Sequence, residues 1–425
     1  MENDAGVSEL KDTTTKLPNG GYGWIIVVVA VAMNAVTWGM NMTIGVYVSF
    51  FVQDTYLSGG SPLRYSFIGG LSVGVALAAA PLGNLLIRHF GFRVPILLGT
   101  LCVTLGQCLA GISTRFAAYL VCQGLVFGFG LGIVFATSQP LLAQWFDKRL
   151  SLASGLAMGG AGAGGLILSN TTRVLVEKLS ISQSLYINGG ISAAVMLPCV
   201  FLVRKGPADI GIKSVSLQLQ WLYHPAFVWV WIWGSLAVMG YFIALYSVAS
   251  YATDGIGLSQ TEAAAVQSLM ASGLMIGRPL TGFALELGGR LNIALLANVI
   301  AGITCWALWL PARSFPLLAA FAFLHGCTAG SVWSAVLPVA AQVVGPSHLG
   351  PALAMFWLVA AAPAAVSSGL AHMLLDYSRE ALGKQGAEAY AISIVFCGGL
   401  YFVSGLSLYG AKVYSQQSFR VWTKV

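Results

Sequence analysis

The sequence predicts an all-α integral membrane protein of twelve transmembrane helices arranged as two six-helix halves. Three observations predict it. Hydrophobic residues make up 57% of the chain and charged residues only 8%, against about 25% charged in soluble domains. Twelve apolar stretches follow one another, each of about 20 residues and so long enough to cross a hydrocarbon core. The longest polar interruption of this series, 204–224, falls after the sixth stretch.

Residues 1–23 are polar, mixed in charge and pass through Pro18-Asn19 before the first apolar run. This composition predicts a disordered cytosolic tail and no signal peptide. Spans are expected at 24–51, 65–87, 94–114, 116–144, 151–176 and 184–203, which make the first half, 24–203. Arg204-Lys205-Gly206-Pro207 opens the cytosolic linker 204–224. Further spans at 225–251, 262–287, 291–310, 314–343, 352–376 and 389–411 make the second half, 225–411, followed by a short cytosolic tail, 412–425. The 51 glycines suit close helix packing, where small residues let backbones approach. The seven cysteines all fall in apolar spans without CxxC or Cys/His spacing, so neither a disulfide framework nor a metal site is indicated.

Charge sets the expected orientation. Arg64, Arg115, Arg173, Lys178, Arg313, Arg379 and Lys384 fall on one side, Arg278 lies inside a span, and the other thirteen of the 21 Lys and Arg lie on the side of the termini. The excess of basic residues in inner loops places both termini in the cytosol. It also explains the net charge of +7 without any nucleic-acid partner.

Arg278 is the most informative residue. It is followed by Pro279 in a small-residue helix, and no Asp or Glu lies deep in any span to neutralise it. A guanidinium near the bilayer centre costs roughly 2.5–3.5 kcal/mol on insertion scales and normally lines a watery path or meets a ligand. An anion contact is the functional reading, and snorkelling to the cytosolic surface is the bland one. On the first span Asn34, Trp38, Asn41 and Gly45 recur at helical spacing and share one face, either as cavity wall or as interhelical hydrogen-bond partners. Tyr241, with Tyr246, Trp333 and Trp357, offers either an aromatic wall or ordinary packing. His325 lies about twelve residues, roughly 18 Å, into the tenth span, and is either a titrating group or a neutral histidine bonded to a neighbouring helix.

Both halves carry an inner loop after their second span: Gly83 to Arg93 and Gly282 to Arg290. Such recurrence marks a transporter built from parallel repeats, with the substrate between them near the midplane. Gly282-x-x-x-Glu286-x-x-Gly289-Arg290 resembles the loop motif of the major facilitator superfamily. Its glycines permit a tight turn, and its acid and base are expected to form a latching charge pair. The first-half copy, Arg88-His89-Phe90-Gly91-Phe92-Arg93, lacks the acid.

Within that superfamily the chain resembles the monocarboxylate porter family, and its short tails and compact linker look more like fungal members. Asn19-Gly20-Gly21-Tyr22-Gly23-Trp24 is similar to the family's entry signature, with Asn19 in place of the usual acid. Trp145-Phe146-Asp147-Lys148-Arg149 through Gly155 resembles its stretch between the fourth and fifth helices. Gly277-Arg278-Pro279 stands where the family keeps an arginine thought to bind the substrate carboxylate. Members that co-transport a proton carry an aspartate where this chain has Leu274 and a lysine where it has Met42.

The resemblance implies a secondary transporter for a carboxylate-bearing small organic molecule, working by symport or efflux. The alternative is an exporter of a larger amphipathic secondary metabolite. A membrane sensor without transport ranks below both, because the tails are short. No Walker-type loop, spaced carboxylate pair, nucleophile–histidine arrangement or metal cluster is present, so neither an enzyme nor a cofactor is expected. Expected partners are a small organic anion or amphipathic metabolite, the lipid bilayer and, if transport is coupled, protons. No address motif chooses between plasma and vacuolar membrane. An epitope joined to either end of the chain should be reached by antibody only after the cells are permeabilised; labelling of intact cells would invert the orientation.

Overall fold

The structure, a computed structural model, describes residues 17–54, 56–207, 223–345 and 348–416. Most of the expected N-terminal tail, of the 204–224 linker and of the C-terminal tail therefore lies outside the described residues. The described chain forms twelve helical spans. In the first half they are α1 (Tyr22–Phe51), α2 (Pro62–Ala78 with Ala80–Phe90), α3 (Arg93–Ile112), α4 (Phe116–Ala143), α5 (Leu150–Lys178) and α6 (Ile181–Leu202). In the second they are α7 (Phe227–Gly255), α8 (Gln260–Gly288), α9 (Arg290–Trp309), α10 (Phe315–Val344), α11 (Leu349–Glu380) and α12 (Ala391–Tyr414).

Ten of these are long and apolar enough to cross a membrane by themselves. The other two do not, for reasons legible in their residues. The two pieces of α2 meet at an angle of 42° beside Pro81, which lacks an N–H and crowds the preceding turn. The other exception, α8, carries Glu262, Arg278 and Glu286 and is correspondingly less apolar. It begins on a capping box in which Ser259 and Glu262 satisfy each other's backbone amides. It ends at Gly289, whose φ of +88° suits glycine, as does the φ of +72° at Gly91, which ends α2. The same turn thus closes the second helix of each half.

Helix packing repeats between the halves. In the first, α1 packs on α5, α2 on α4, and α3 on α4 and α6; in the second, α7 packs on α11, α8 on α10, and α9 on α12. The halves meet through two reciprocal pairs, α5 with α8 and α2 with α11. Leucines such as Leu101, Leu105 and Leu280 point outward, as a lipid-facing surface requires.

The seam α1–α5–α8 is built on glycine. A Cβ on Gly164 would land on the carbonyl oxygen of Ala35 in α1, and one on Gly155 would come within 2.5 Å of the Arg278 carbonyl oxygen in α8. Gly190 in α6, by contrast, has no atom near its missing Cβ. Overpacking costs typically 1–3 kcal/mol. Gly164→Val should lower the melting temperature of the purified protein or abolish its monodisperse elution, while Gly190→Ala should leave both unchanged.

Candidate functional site

We call the face on which the described chain begins and ends the terminal face. Helix geometry brings both family-like stretches together there. The Asn19 side-chain oxygen accepts hydrogen bonds from the backbone amides of Asp147 (2.9 Å) and Lys148 (3.0 Å). An aspartate could accept the same two bonds, so the replacement keeps the contact. Tyr22 packs on Trp145 and Trp24 on Phe146, with ring centroids 5.7 and 5.1 Å apart. Gly23 leaves the space that Phe146 fills. The Lys148 and Arg149 side chains are exposed at the start of α5.

The loop motif behaves differently from expectation. Among the described residues the ion pair formed is Arg173–Glu177, so Glu286 and Arg290 do not pair with each other. Instead, the Glu286 carboxylate accepts from the Leu152 amide, 2.9 Å away, in the first turn of α5. That amide end carries the positive pole of the helix, a better partner than an arginine held elsewhere. Arg290 donates to the backbone carbonyls of Asp147 (3.3 Å) and Pro338 (3.4 Å). Gly282 lies against Ser151 and Gly155. The latch is therefore charge to helix end across the halves. At the reciprocal pair, the Asn84 amide donates to the Gly350 carbonyl at 3.0 Å. These contacts close the terminal face.

Arg278 sits at the centre, 3% exposed. Its Nη1 donates to the Met158 carbonyl of α5 at 2.8 Å and its Nη2 to the Tyr241 hydroxyl of α7 at 3.1 Å. Its Nε is buried without a hydrogen-bond partner. No carboxylate among the described residues lies within ion-pairing distance. The guanidinium therefore does not snorkel: it is held by neutral oxygens contributed by both halves.

Around it Trp38, Asn41, Met42, Tyr241, Phe242 and Trp333 line a narrow void of about 10 Å³, barely room for one water. Asn41 donates to the Ser72 hydroxyl at 2.6 Å and accepts from Tyr246 at 3.4 Å. On the opposite face a wider vestibule of about 410 Å³ opens among α7, α11 and α12 of the second half, with Ser61, just before α2, at its edge; its lining includes Asp254, His372 and Tyr390. Along α7, Tyr246 lies between the residues lining the two spaces.

Arg278, Trp38, Asn41 and Tyr241 are thus brought together, while Asn34 and His325 are not among the residues lining the void. Asn34 donates to the Ala30 carbonyl of its own helix at 2.8 Å. His325 is fully buried within the second half, its Nδ1 2.9 Å from the Thr304 hydroxyl and its ring against Phe321 and Tyr401. Sequence reasoning missed Met158, which acts through its carbonyl and so leaves no side-chain signal. It also left Phe242 unmarked, although Phe242 is adjacent to Tyr241. Leu274, at the position of the family's aspartate, packs against Gly330, while Met42 lines the void itself.

Two six-helix halves packed together around a buried cation, with a vestibule on the face away from the termini, define a membrane carrier. The chain belongs to the Major Facilitator Superfamily, whose profile matches residues 27–286, and is a transporter of small solutes. Its relatives include fungal transporters and animal proteins named as monocarboxylate transporters, in keeping with the narrower resemblance. It is 28% identical over 399 residues to "Probable transporter MCH2" of Saccharomyces cerevisiae, covering 92% of this chain and 82% of that one. It is also 28% identical to human "Monocarboxylate transporter 11", across 77% of this chain and 72% of that one. The solved proton:xylose symporter XylE shares the fold with a TM-score of 0.71 at 13% identity, over 91% of this chain and 95% of that one.

If Glu286 caps α5 across the halves, Glu286→Ala should raise opening of the terminal face about twofold to fivefold, the range expected of a surface charge at a helix end. The readout is the alkylation rate of Ser151→Cys in a background otherwise free of cysteine, with Glu286→Gln intermediate. Equal rates in all three would remove the latch.

Proposed function

We propose that the chain moves a carboxylate-bearing small organic molecule across a membrane by alternating access, with Arg278 as the anion contact. The single observation carrying this reading is a buried guanidinium at the junction of the halves whose partners are neutral oxygens. Such a group attracts an anion, and a carboxylate matches its fork. On binding, the carboxylate displaces the Met158 carbonyl from Nη1 and reaches the vacant Nε. That exchange removes a contact between the halves and supplies a better one within the second half, so binding favours their relative movement. A relative named as a monocarboxylate transporter supports the choice of anion.

Apolar Met42 in the lining and apolar Leu274 one turn before Arg278 favour a second reading, a larger amphipathic acid, for which efflux is the natural direction. In both readings the termini face the cytosol, and the membrane is the plasma or vacuolar one.

Uptake and efflux of labelled carboxylates in proteoliposomes, with and without a pH gradient, test the proposal. Arg278→Gln should reduce transport about thirtyfold or more, as loss of a buried charged partner does. Arg278→Lys should rescue it only in part, because it keeps the charge and loses the fork. Wild-type rates in Arg278→Gln would overturn the assignment.

A further inference from the structure

Trp333 is the hub of the aromatic cluster around Arg278. From the first half it receives Trp38, at a centroid distance of 4.8 Å, and Phe135 at 5.9 Å. From its own half it receives Trp357, stacked at 5.3 Å and 11°, and Tyr241 at 5.9 Å. All four distances lie in the range favoured by ring pairs. Trp38 and Trp333 line the same small void as Arg278, and Tyr241 touches both Arg278 and Trp333.

Several contacts tie the second half to the first at the centre, among them Arg278 to the Met158 carbonyl, Tyr246 to Asn41, Trp333 to Trp38 and Phe135, and Trp357 to Phe135. Alternating access must break them. The indole N–H groups of Trp38, Trp333 and Trp357 are also buried without acceptors, as is the Arg278 Nε. Orphan indoles occur elsewhere, at Trp233 and Trp309, so they assign nothing alone. Buried donors are as a rule satisfied, and here several converge beside a cation and an interhalf ring stack.

From this juxtaposition we infer that the preferred substrate is an aromatic carboxylate, whose two groups imitate two of the contacts that the first half makes with the second. The carboxylate takes the place of the Met158 carbonyl on Arg278. The ring takes the place of Trp38 and Phe135 on Trp333, and oxygen substituents meet the free indole N–H groups. An aliphatic acid satisfies the arginine and leaves the ring contacts broken, so it is carried less well. The inference rests on the preceding reading of Arg278 as the anion contact.

The test is isothermal titration of the purified full chain in nanodiscs with benzoate, cyclohexanecarboxylate, lactate and benzyl alcohol. Benzoate and cyclohexanecarboxylate share charge and approximate size and differ in the π-face. Benzoate should bind about twofold to tenfold more tightly than cyclohexanecarboxylate, the gain expected of recovering a ring contact. Lactate and benzyl alcohol should both be weaker than benzoate. Trp333→Leu should erase the difference between the two ring acids, and Trp333→Phe should retain it. If Trp333→Leu does not fold, the wild-type comparison and Trp333→Phe still decide. Equal binding of both ring acids, lost together in Arg278→Gln, would overturn the aromatic inference and leave the anion site standing. Benzoate binding unchanged in Arg278→Gln, or no binding of either acid at millimolar concentration, would overturn both.

Discussion

The close approach of three helix backbones places everything else. In the seam α1–α5–α8, glycines at 155, 160, 162 and 164 remove the side chains that would hold the helices apart. Without a hydrophobic driving force between helices in lipid, such contact is a main source of cohesion. The seam also has a direct chemical result. Because α5 lies against α8 through Gly155 and Gly162, the Met158 carbonyl comes within hydrogen-bonding reach of Arg278. A bulkier helix would leave the guanidinium without that partner.

The seam makes the buried cation tolerable without neutralising it. Its contacts are a carbonyl, a phenol and the edge of an aromatic cluster, with the Tyr241 ring 5.9 Å from the guanidinium carbon. A carboxylate in the protein would satisfy the charge permanently and compete with any anionic ligand. Neutral oxygens hold the side chain in place and yield to a stronger acceptor. In the function proposed above, stability of the empty carrier and affinity for its cargo are thereby drawn from one group.

Much of the fold was legible in the sequence because lipid imposes simple rules: length, apolarity and loop charge suffice for twelve spans. The bend in α2 could have been read from Pro81, and the lower apolarity of α8 from its charges. The site was legible in part. Arg278 stood out as a charge where none is expected, and Trp38 and Asn41 shared a helical face with Asn34. That face is wide enough for Asn34 to turn back onto its own helix, which periodicity cannot distinguish. His325 looked like a candidate through depth alone, whereas depth says nothing about which neighbours surround a side chain. The Glu286–Arg290 pair was inferred from spacing, and three-dimensional packing offered each residue a different partner on another helix.

The two reciprocal interfaces between the halves are fastened unequally at the terminal face. One holds a carboxylate on the amide end of α5; the other holds a neutral asparagine amide on a carbonyl of α11. Interactions of a partly exposed charge with a helix pole are screened by salt, and neutral hydrogen bonds hardly are. The terminal face thus has one fastening that slackens with ionic strength and one that does not, so rising salt loosens its α5–α8 side before its α2–α11 side.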